Sequence, residues 1–306
     1  MRILVTGGAG FIGSHLVEAL MAQGRQVVVV DDLSSGQVAN LPQGVLLYQC
    51  DICSPQLARP FREHHFEAVV HCAAQVGVLS SVENPLHDLR VNVVGTAKVV
   101  AQCRRRQVSK IVFLSSGGAI YGEAPRPVGE EAPVAPKSYY GVHKYCAEQY
   151  VRFSGLPYAI LRLANVYGPR QREDLEGGVV AIFLERLRRR QPITIYGDGE
   201  QSRDFIYVKD VATAVLAALD YPGRDLWNIG TGRATTINHL LHLLTAELGP
   251  PVQVNYEPFQ PAEIYHSCLD ISKILATGSW APQYSLEQGL QQLIEESNLR
   301  PGGQRR

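Results

Sequence analysis

Tyr140 and Lys144 stand four residues apart in Tyr140-Gly141-Val142-His143-Lys144, so on a helix the phenol and the ammonium share one face. A cation beside a phenol favours the phenolate and lowers the tyrosine pKa from its ordinary value of about 10. Such a tyrosine becomes a usable base for an alcohol proton. The pair is common by chance, so its meaning depends on what else the chain places near it.

A second constellation supplies that context. Thr6-Gly7-Gly8-Ala9-Gly10-Phe11-Ile12-Gly13 follows a strand pattern and opens a helical one. Gly8, Gly10 and Gly13 fit the spacing G-x-G-x-x-G, while Gly7, Gly10 and Gly13 fit G-x-x-G-x-x-G. In either register the missing Cβ atoms allow a tight turn and backbone approach to a pyrophosphate at a helix N-terminus. Asp31 closes the second strand pattern, where a carboxylate accepts both hydroxyls of a ribose. That carboxylate would repel a 2′-phosphate, and Leu33-Ser34-Ser35-Gly36 offers no arginine to receive one. The expected cofactor is therefore NAD rather than NADP, and its positive nicotinamide would add to the cation beside Tyr140. Further strand ends carry Asp51-Ile52 and His71-Cys72-Ala73-Ala74-Gln75, whose small residues would let a flat ring lie against the backbone. His71 itself reads as a satisfied core side chain rather than a ligand or base.

These residues must be held by strands and helices, and the pattern of the first half supplies them. Strand-like runs at 2–5, 26–30, 45–49, 68–71 and 110–114 alternate with helical periods, the first at 12–23. Such alternation predicts parallel strands with crossover helices. Val27 to Val30 and Ile111 to Leu114 lack polar alternation, as strands covered on both faces do. The fold class expected is α/β, a doubly wound parallel Rossmann sheet with a smaller α/β C-terminal substrate domain. The division expected is 1–165 for the dinucleotide, with strands returning from about 204–230, and 166–306 mainly for the substrate. After residue 165 the texture changes, with Gly168-Pro169, a helix at 179–190, the turn Gly197-Asp198-Gly199 and Gly249-Pro250-Pro251. Residues 300–306 read as a frayed tail.

Composition narrows the classes further. The 306 residues are 45% hydrophobic and 19% charged, with 29 basic against 29 acidic side chains. Disorder is excluded, and no net positive footprint for a nucleic acid is present. The arginine runs at 104–106 and 186–190 read as solvated helix ends. No apolar run reaches the ~18 residues of a membrane helix, and no signal-like segment precedes the first strand, so a cytoplasmic protein is expected. Six scattered cysteines suggest no disulfide framework, and the one C-x-x-C, Cys50 to Cys53, lacks the second pair of a structural zinc site. No metal is expected.

The motifs together resemble the extended short-chain dehydrogenase/reductases, in the nucleotide-sugar epimerase/dehydratase group. The resemblance runs through Thr6 to Gly13, Asp31 to Ser34, His71 to Gln75, Asn92-Val93-Val94-Gly95-Thr96, Ser115 to Gly122, Tyr140 to Lys144, Asn165 to Arg170, Arg203-Asp204 and Leu269-Asp270. It implies C4 epimerisation of a UDP-hexose on a tightly held NAD, through a transient 4-keto sugar. Tyr140 would take the 4-hydroxyl proton, Lys144 would hold the nicotinamide ribose, and Asn92 would sit behind the helix that carries both. The implied cofactor contacts are Gly7, Gly10, Phe11, Ile12, Gly13, Asp31, Asp32, Leu33, Ser34, Ser35, Gly36, Asp51, Ile52, Cys72, Ala73, Ala74, Gln75, Asn92, Ser115, Tyr140, Lys144 and Val166. The implied substrate contacts are Ser116, Tyr140, Asn165, Arg203 at the diphosphate, Val179, Thr194 and Tyr196 at the nucleobase, Glu263 and Ser267.

Three positions depart from that pattern. The family's third catalytic residue, a Ser or Thr, falls on Gly117, which leaves Ser116 as the nearest hydroxyl. A second diphosphate arginine falls on Gln260, while Glu263 keeps its carboxylate. Ser267 is small where the family separates hexoses from N-acetylhexosamines, so an N-acetyl group is expected to fit. Three other readings compete. A dehydratase or decarboxylase would need an acid where Gly118 and Ala119 stand. A UDP-glucuronate 4-epimerase would need an extra cation near Glu263 or Arg170. A non-catalytic NAD-binding module would have no use for Tyr140 and Lys144. The family's habit of pairing two helices per subunit implies a homodimer through helices at 93–106 and 140–153.

Overall fold

Strand β1 (Arg2–Thr6) is followed by β2 (Gln26–Asp31), β3 (Leu46–Gln49), β4 (Ala68–His71), β5 (Lys110–Ser116) and β6 (Tyr158–Leu163). Later come β7 (Asn165–Tyr167), β8 (Ile193–Tyr196), β9 (Ser202–Tyr207), β10 (Asp225–Ile229), β11 (Ala234–Thr236), β12 (Val254–Glu257) and β13 (His266–Ser267). The structure is a computed structural model and describes residues 1–123, 126–176, 178–259 and 264–297. Seven strands form one sheet in the order β10-β6-β5-β4-β1-β2-β3, parallel at every pair.

The apolar runs explain this sheet. Successive side chains of a strand point to opposite faces. Ile3, Val5, Val29, Val112 and Leu114 pack on one side, with the helices Phe11–Ala22 and Val208–Asp220. Leu4, Val28, Val30, Ile111 and Phe113 pack on the other, with Thr96–Arg105 and Tyr139–Arg152. Each fully buried aliphatic or aromatic side chain contributes roughly 1.5–3 kcal/mol, which is why neither face tolerates polar alternation. Strand order reverses between β1 and β4, and a doubly wound sheet opens its ligand crevice at that point, beyond the carboxyl ends of the strands.

The later chain both completes this sheet and builds a second layer. β10 carries the buried Trp227 to the edge beside β6. β9 lies between β11 and β13 and also pairs with β7, while β12 pairs with β8. Phe183, Leu187, Ile195, Phe205, Leu240 and Leu293 form the separate core beneath these short strands.

One helix departs from its expected form. In place of a continuous helix at 93–106, Arg90–Gly95 is a π-helical turn that leads into Thr96–Arg105. Asn92 is buried within it, and a Cβ on Gly95 would lie 2.5 Å from Ile52 Cδ1, so the wide turn is packed directly on the β3 end. Arg104 and Arg105 end that helix, and Arg186 and Arg188 end the helix Val179–Arg188, where cations suit the dipole. All six cysteines are free thiols. Among the described residues no helix is long and apolar enough to cross a membrane.

Candidate active site

The glycine turn sits at the β1 end of the crevice. Gly7 has φ +69°, and a Cβ there would lie 2.6 Å from Ala73 N, so the β1 and β4 ends approach too closely for any side chain. A Cβ on Gly13 would fall on the Gly7 carbonyl oxygen. A Cβ on Gly8 would instead lie 2.8 Å from both methyls of Val29. Gly7 and Gly13 thus make the tight turn, Gly8 seats it on β2, and a Cβ on Gly10 would meet only the Gly7 oxygen, at 3.3 Å. Gly10 is the N-cap of the helix Phe11–Ala22 and brings no side chain to its first-turn amides. Those amides and the positive end of the helix dipole make an anion cradle.

Asp31 borders the same turn. Its Oδ2 accepts the Ala9 N–H at 2.9 Å and its Oδ1 accepts the Leu33 N–H at 2.8 Å. Burial raises its pKa, and the backbone donors oppose the rise. Each carboxylate oxygen keeps further lone-pair capacity for ribose hydroxyls. A Cβ on Gly36 would lie 2.9 Å from Asp31 Oδ1, so the segment Ser34–Gly36 wraps close to that carboxylate. Asp32 turns away and binds the Ser34 amide and hydroxyl at 2.9 and 2.6 Å. Asp51 accepts the Cys53 N–H at 2.6 Å and pairs with Arg90, beside the buried Ile52. From far along the chain, Arg170 reaches the cavity lined by Phe11 and Ser35, where Ser14 Oγ, at 3.0 Å, and Glu18 hold its guanidinium.

On the β4 side, Asn92 clamps the loop that begins at Cys72. Its Oδ1 accepts the Gln75 N–H at 3.1 Å and its Nδ2 donates to the Gln75 carbonyl at 3.0 Å. His71 is fully buried, with Nδ1 2.6 Å from Thr6 Oγ1 and Nε2 3.0 Å from Thr96 Oγ1. The Thr96 hydroxyl donates to the Asn92 carbonyl at 2.6 Å, so the histidine must donate from Nε2 and accept at Nδ1. Burial, with the Lys144 charge, holds His71 down at about 3. The core reading of this residue stands.

The side chains expected to react lie around the carboxyl end of β5. The helix Tyr139–Arg152 is capped by Ser138, which accepts the Gly141 N–H at 3.2 Å, and by Ser81, which accepts the Tyr140 N–H at 3.1 Å. This fixes Tyr140 in the first helical turn, half-buried, where the Ser116 side chain favours its ionised form. Lys144 is 3% exposed, donates to the Leu114 carbonyl at 2.6 Å, and lies 4.4 Å from the centre of the Phe113 ring. Burial pulls this amine down to about 8. Burial also pushes the Tyr140 phenol up to about 12, a rise that the Ser116 side chain opposes. The lysine alone therefore does not acidify the phenol as the four-residue spacing suggested, because desolvation of the phenolate is the larger effect.

Gly117 and Gly118 have different surroundings. A Cβ on Gly117 would lie 2.8 Å from both methyls of the buried Leu269. A hydroxyl at this position would start into the core. A Cβ on Gly118 would lie 3.7 Å from Asn165 Nδ2 and 3.8 Å from Ser267 Oγ. Ser267 pairs with Arg203 across β13 and β9, and Arg203 donates to the carbonyls of Ser202 and Tyr265 at 3.0 and 3.1 Å. Val179 opens the helix Val179–Arg188, and Thr194 and Tyr196 lie in β8, in the smaller layer. Val166 lies in β7, its carbonyl accepting from Gln171 Nε2 at 3.1 Å. Gln260 and Glu263 lie outside the described residues.

Sequence reading missed the buried supports of this site. Ser115 donates to Glu148 Oε1 at 2.6 Å, and Arg162 grips both oxygens of Glu148 at 2.9 and 2.7 Å. Arg162 also donates to the Tyr121 hydroxyl, which donates to Asn228, each at 2.8 Å. The Glu148 position, one turn after Lys144 on the same helix face, was the available signal.

The chain's own geometry fits a dinucleotide: an uncapped helix start, glycines where a Cβ would close the turn, and a carboxylate at the β2 end. Comparison with known proteins agrees. The family model described as NAD dependent epimerase/dehydratase family matches residues 3–230. The structure of UDP-glucose 4-epimerase from Thermotoga maritima with UDP-glucose aligns with a TM-score of 0.94 at 44% identity, covering 97% of this chain and 99% of that one. UDP-glucose 4-epimerase from Thermus thermophilus, in complex with NAD, aligns at 0.93 and 40% identity over 98% and 99%. UDP-N-acetylglucosamine 4-epimerase from Methanobrevibacter ruminantium, in complex with UDP-N-acetylmuramic acid, aligns at 0.90 and 33% identity over 97% and 99%.

Proposed function

This chain belongs to the NAD-dependent epimerase/dehydratase family, and from that membership we propose that it inverts C4 of UDP-hexoses through a transient 4-keto sugar. The observation that supports this most directly is Lys144, buried and donating to the Leu114 carbonyl at 2.6 Å, with Tyr140 one helical turn before it on the same helix. Residues 1–165, with 204–230 returning to them, form the cofactor lobe in this reading, and 166–306 mainly receive the sugar nucleotide.

Gly7, Gly10, Gly13 and the amides of Phe11 and Ile12 would hold the pyrophosphate, Asp31 a ribose, and Lys144 the nicotinamide ribose. NAD, when bound, supplies a hydride acceptor at C4 and a positive charge near the phenol. Tyr140 removes the 4-hydroxyl proton and later returns it, and Ser116 steadies the oxygen between the two states. That the phenol stands high in the protein alone makes it a ready proton donor for the return step. Asn165 and the open position at Gly118 leave the ketone room to turn over. Arg203 faces the diphosphate, a pairing suited to a guanidinium.

Elimination or decarboxylation has no acid in this arrangement, since Gly118 and Ala119 stand where one is needed. For a glucuronate carboxylate the chain offers Arg170, which Glu18 and Ser14 already engage. Ser267, small and next to Gly118, leaves space for an N-acetyl group, so UDP-GlcNAc is a second substrate in this reading. We further propose a cytoplasmic homodimer. Tyr139, Val142 and Tyr150 on one helix and Phe153 just past its end are 50%, 47%, 46% and 82% exposed, and Leu86 and Val94 are exposed on the helix and π-helical turn that pack against it.

Incubation with UDP-glucose, UDP-GlcNAc and UDP-glucuronate, followed by separation and mass measurement, tests the proposal. The expected products are the C4 epimers of the first two, with mass conserved. Loss of water or carbon dioxide would replace this reading by a dehydratase or decarboxylase. Bound-cofactor absorbance unmoved by any UDP-sugar would leave only a binding module.

A further inference from the structure

Between Tyr140 and Lys144, on the buried side of the same helix, stands His143, only 8% exposed. Its Nδ1 lies 2.5 Å from Oδ1 of Asp88, a carboxylate with no exposure at all. A carboxylate accepts, so Nδ1 carries the proton. The other Asp88 oxygen accepts from Asn92 Nδ2 at 3.0 Å. The same Nδ2 donates to the Gln75 carbonyl at 3.0 Å while Asn92 Oδ1 accepts the Gln75 N–H at 3.1 Å. A continuous line of hydrogen bonds therefore joins the helix Tyr139–Arg152, the helix Pro85–Leu89, the π-helical turn and the loop after β4. One end is the helix of the base, and the other is the loop that would face the nicotinamide.

Among the described residues, His143 is the sole contribution of the base-bearing helix to this line, through one short bond to a carboxylate removed from water. Removing the donor leaves Asp88 buried with only an amide for partner, which is costly enough to move the carboxylate or admit water. Either movement releases Asn92, whose amide is bonded to both Asp88 and Gln75. The Asp88 charge also acts on the reacting pair, opposing loss of the Tyr140 proton and favouring the Lys144 cation. A shift of Asp88 is thus felt at the base as well as at the loop.

We propose that His143 is a positioning residue which, through Asp88 and Asn92, fixes the spacing between the Tyr140–Lys144 helix and the cofactor loop at Gln75. As a link to hydride transfer this rests on the epimerase reading above, while the link to the loop does not.

The test compares the NAD-loaded wild-type protein with His143→Leu, which removes the donor, and His143→Asn, whose amide nitrogen can replace Nδ1. Asp88→Asn serves as a second variant. Two readouts need no turnover: hydrogen exchange of the Gln75 amide and the rate of NAD release into excess competitor. Both are expected to rise about tenfold or more in His143→Leu and Asp88→Asn, and to return to within about threefold of wild type in His143→Asn. Under single-turnover mixing with UDP-glucose, the absorbance rise at 340 nm is expected to slow about tenfold in His143→Leu, with the KM for UDP-glucose changed less than threefold. Wild-type exchange and release in a folded His143→Leu protein would overturn the proposal, as would equal behaviour of the Leu and Asn variants. If the wild-type protein shows no 340 nm signal and no epimer, the epimerase reading falls, and the exchange and release comparison still decides whether His143 holds the loop.

Discussion

At the scale of single residues, the reactive group is defined by what lies against it. The Ser116 side chain favours the Tyr140 phenolate, and a side chain on Gly117 would meet Leu269. Tyr140→Phe is expected to lower kcat by roughly 10²–10⁴, the usual worth of a positioned proton acceptor, with NAD content unchanged. Ser116→Ala is expected to cost about 10- to 100-fold, one hydrogen bond to a group that becomes charged. Restoring the hydroxyl at the family's position, in a Ser116→Ala/Gly117→Ser double variant, is expected to recover nothing, because that side chain would enter the Leu269 contact; recovery would refute the assignment. His71 gives a prediction in stability. Its folded pKa of about 3 lies below its ordinary 6.5, so between those values the unfolded chain binds the extra proton. The contribution of His71 is complete above about pH 6.5 and declines on acidification, at up to ~1.4 kcal/mol per pH unit. Buried carboxylates titrate in the same range, so the measurement is a difference: urea midpoints at pH 7 and 5 should separate less in His71→Gln than in wild type. Tyr140, Lys144 and Asp31 could be singled out from sequence because the expected chemistry fixes the residue type. The state of the phenol was not, because burial depends on atoms contributed from elsewhere in the fold.

At the scale of elements, the glycine turn and the buried strands were legible because backbone sterics and double-sided burial act locally. The π-helical turn at Arg90–Gly95 was not, since its helical periodicity looks continuous and the packing of Gly95 against Ile52 arises only in the folded chain. Gly13→Ala places a methyl on the Gly7 carbonyl and is expected to cost about 1–3 kcal/mol as overpacking and to empty the protein of NAD, measured by released cofactor per chain. The Glu148–Arg162 pair, at 0% and 3% exposure, joins the base-bearing helix to β6. Glu148→Gln leaves a buried guanidinium without its counter-charge, which typically costs about 3–5 kcal/mol. Denaturant unfolding should show this loss. Adding Arg162→Met should recover much of it, because the uncompensated charge is then gone. If Glu148→Gln unfolds at the wild-type midpoint, the pair does not support the site.

At the scale of the whole molecule, the helix Tyr139–Arg152 presents two stripes. Gly141, Lys144, Ala147, Glu148 and Val151 face the sheet and are buried. Tyr139, Val142 and Tyr150, continued by Phe153 just past the helix end, recur at three- to eight-residue intervals on the outside and keep about half or more of their exposure. Sequence alone could not tell these stripes apart, since either satisfies helical spacing; packing assigns one to the sheet and leaves the other exposed. With Leu86, 76% exposed, and Val94, 42% exposed, the outer stripe forms part of an apolar surface whose burial against a second copy would have the usual driving force of a stable interface. Isologous pairing would then bring the helix that carries Tyr140 and His143 against its symmetry mate, so dimerisation would stiffen the same element that positions the base. Light scattering at micromolar concentration is expected to give twice the chain mass of 33.7 kDa. Val142→Asp/Phe153→Asp, which touches no side chain of the proposed site, is expected to give half that mass with cofactor still bound. A wild-type protein that runs as a monomer would mean that these aromatic side chains face solvent or some other protein.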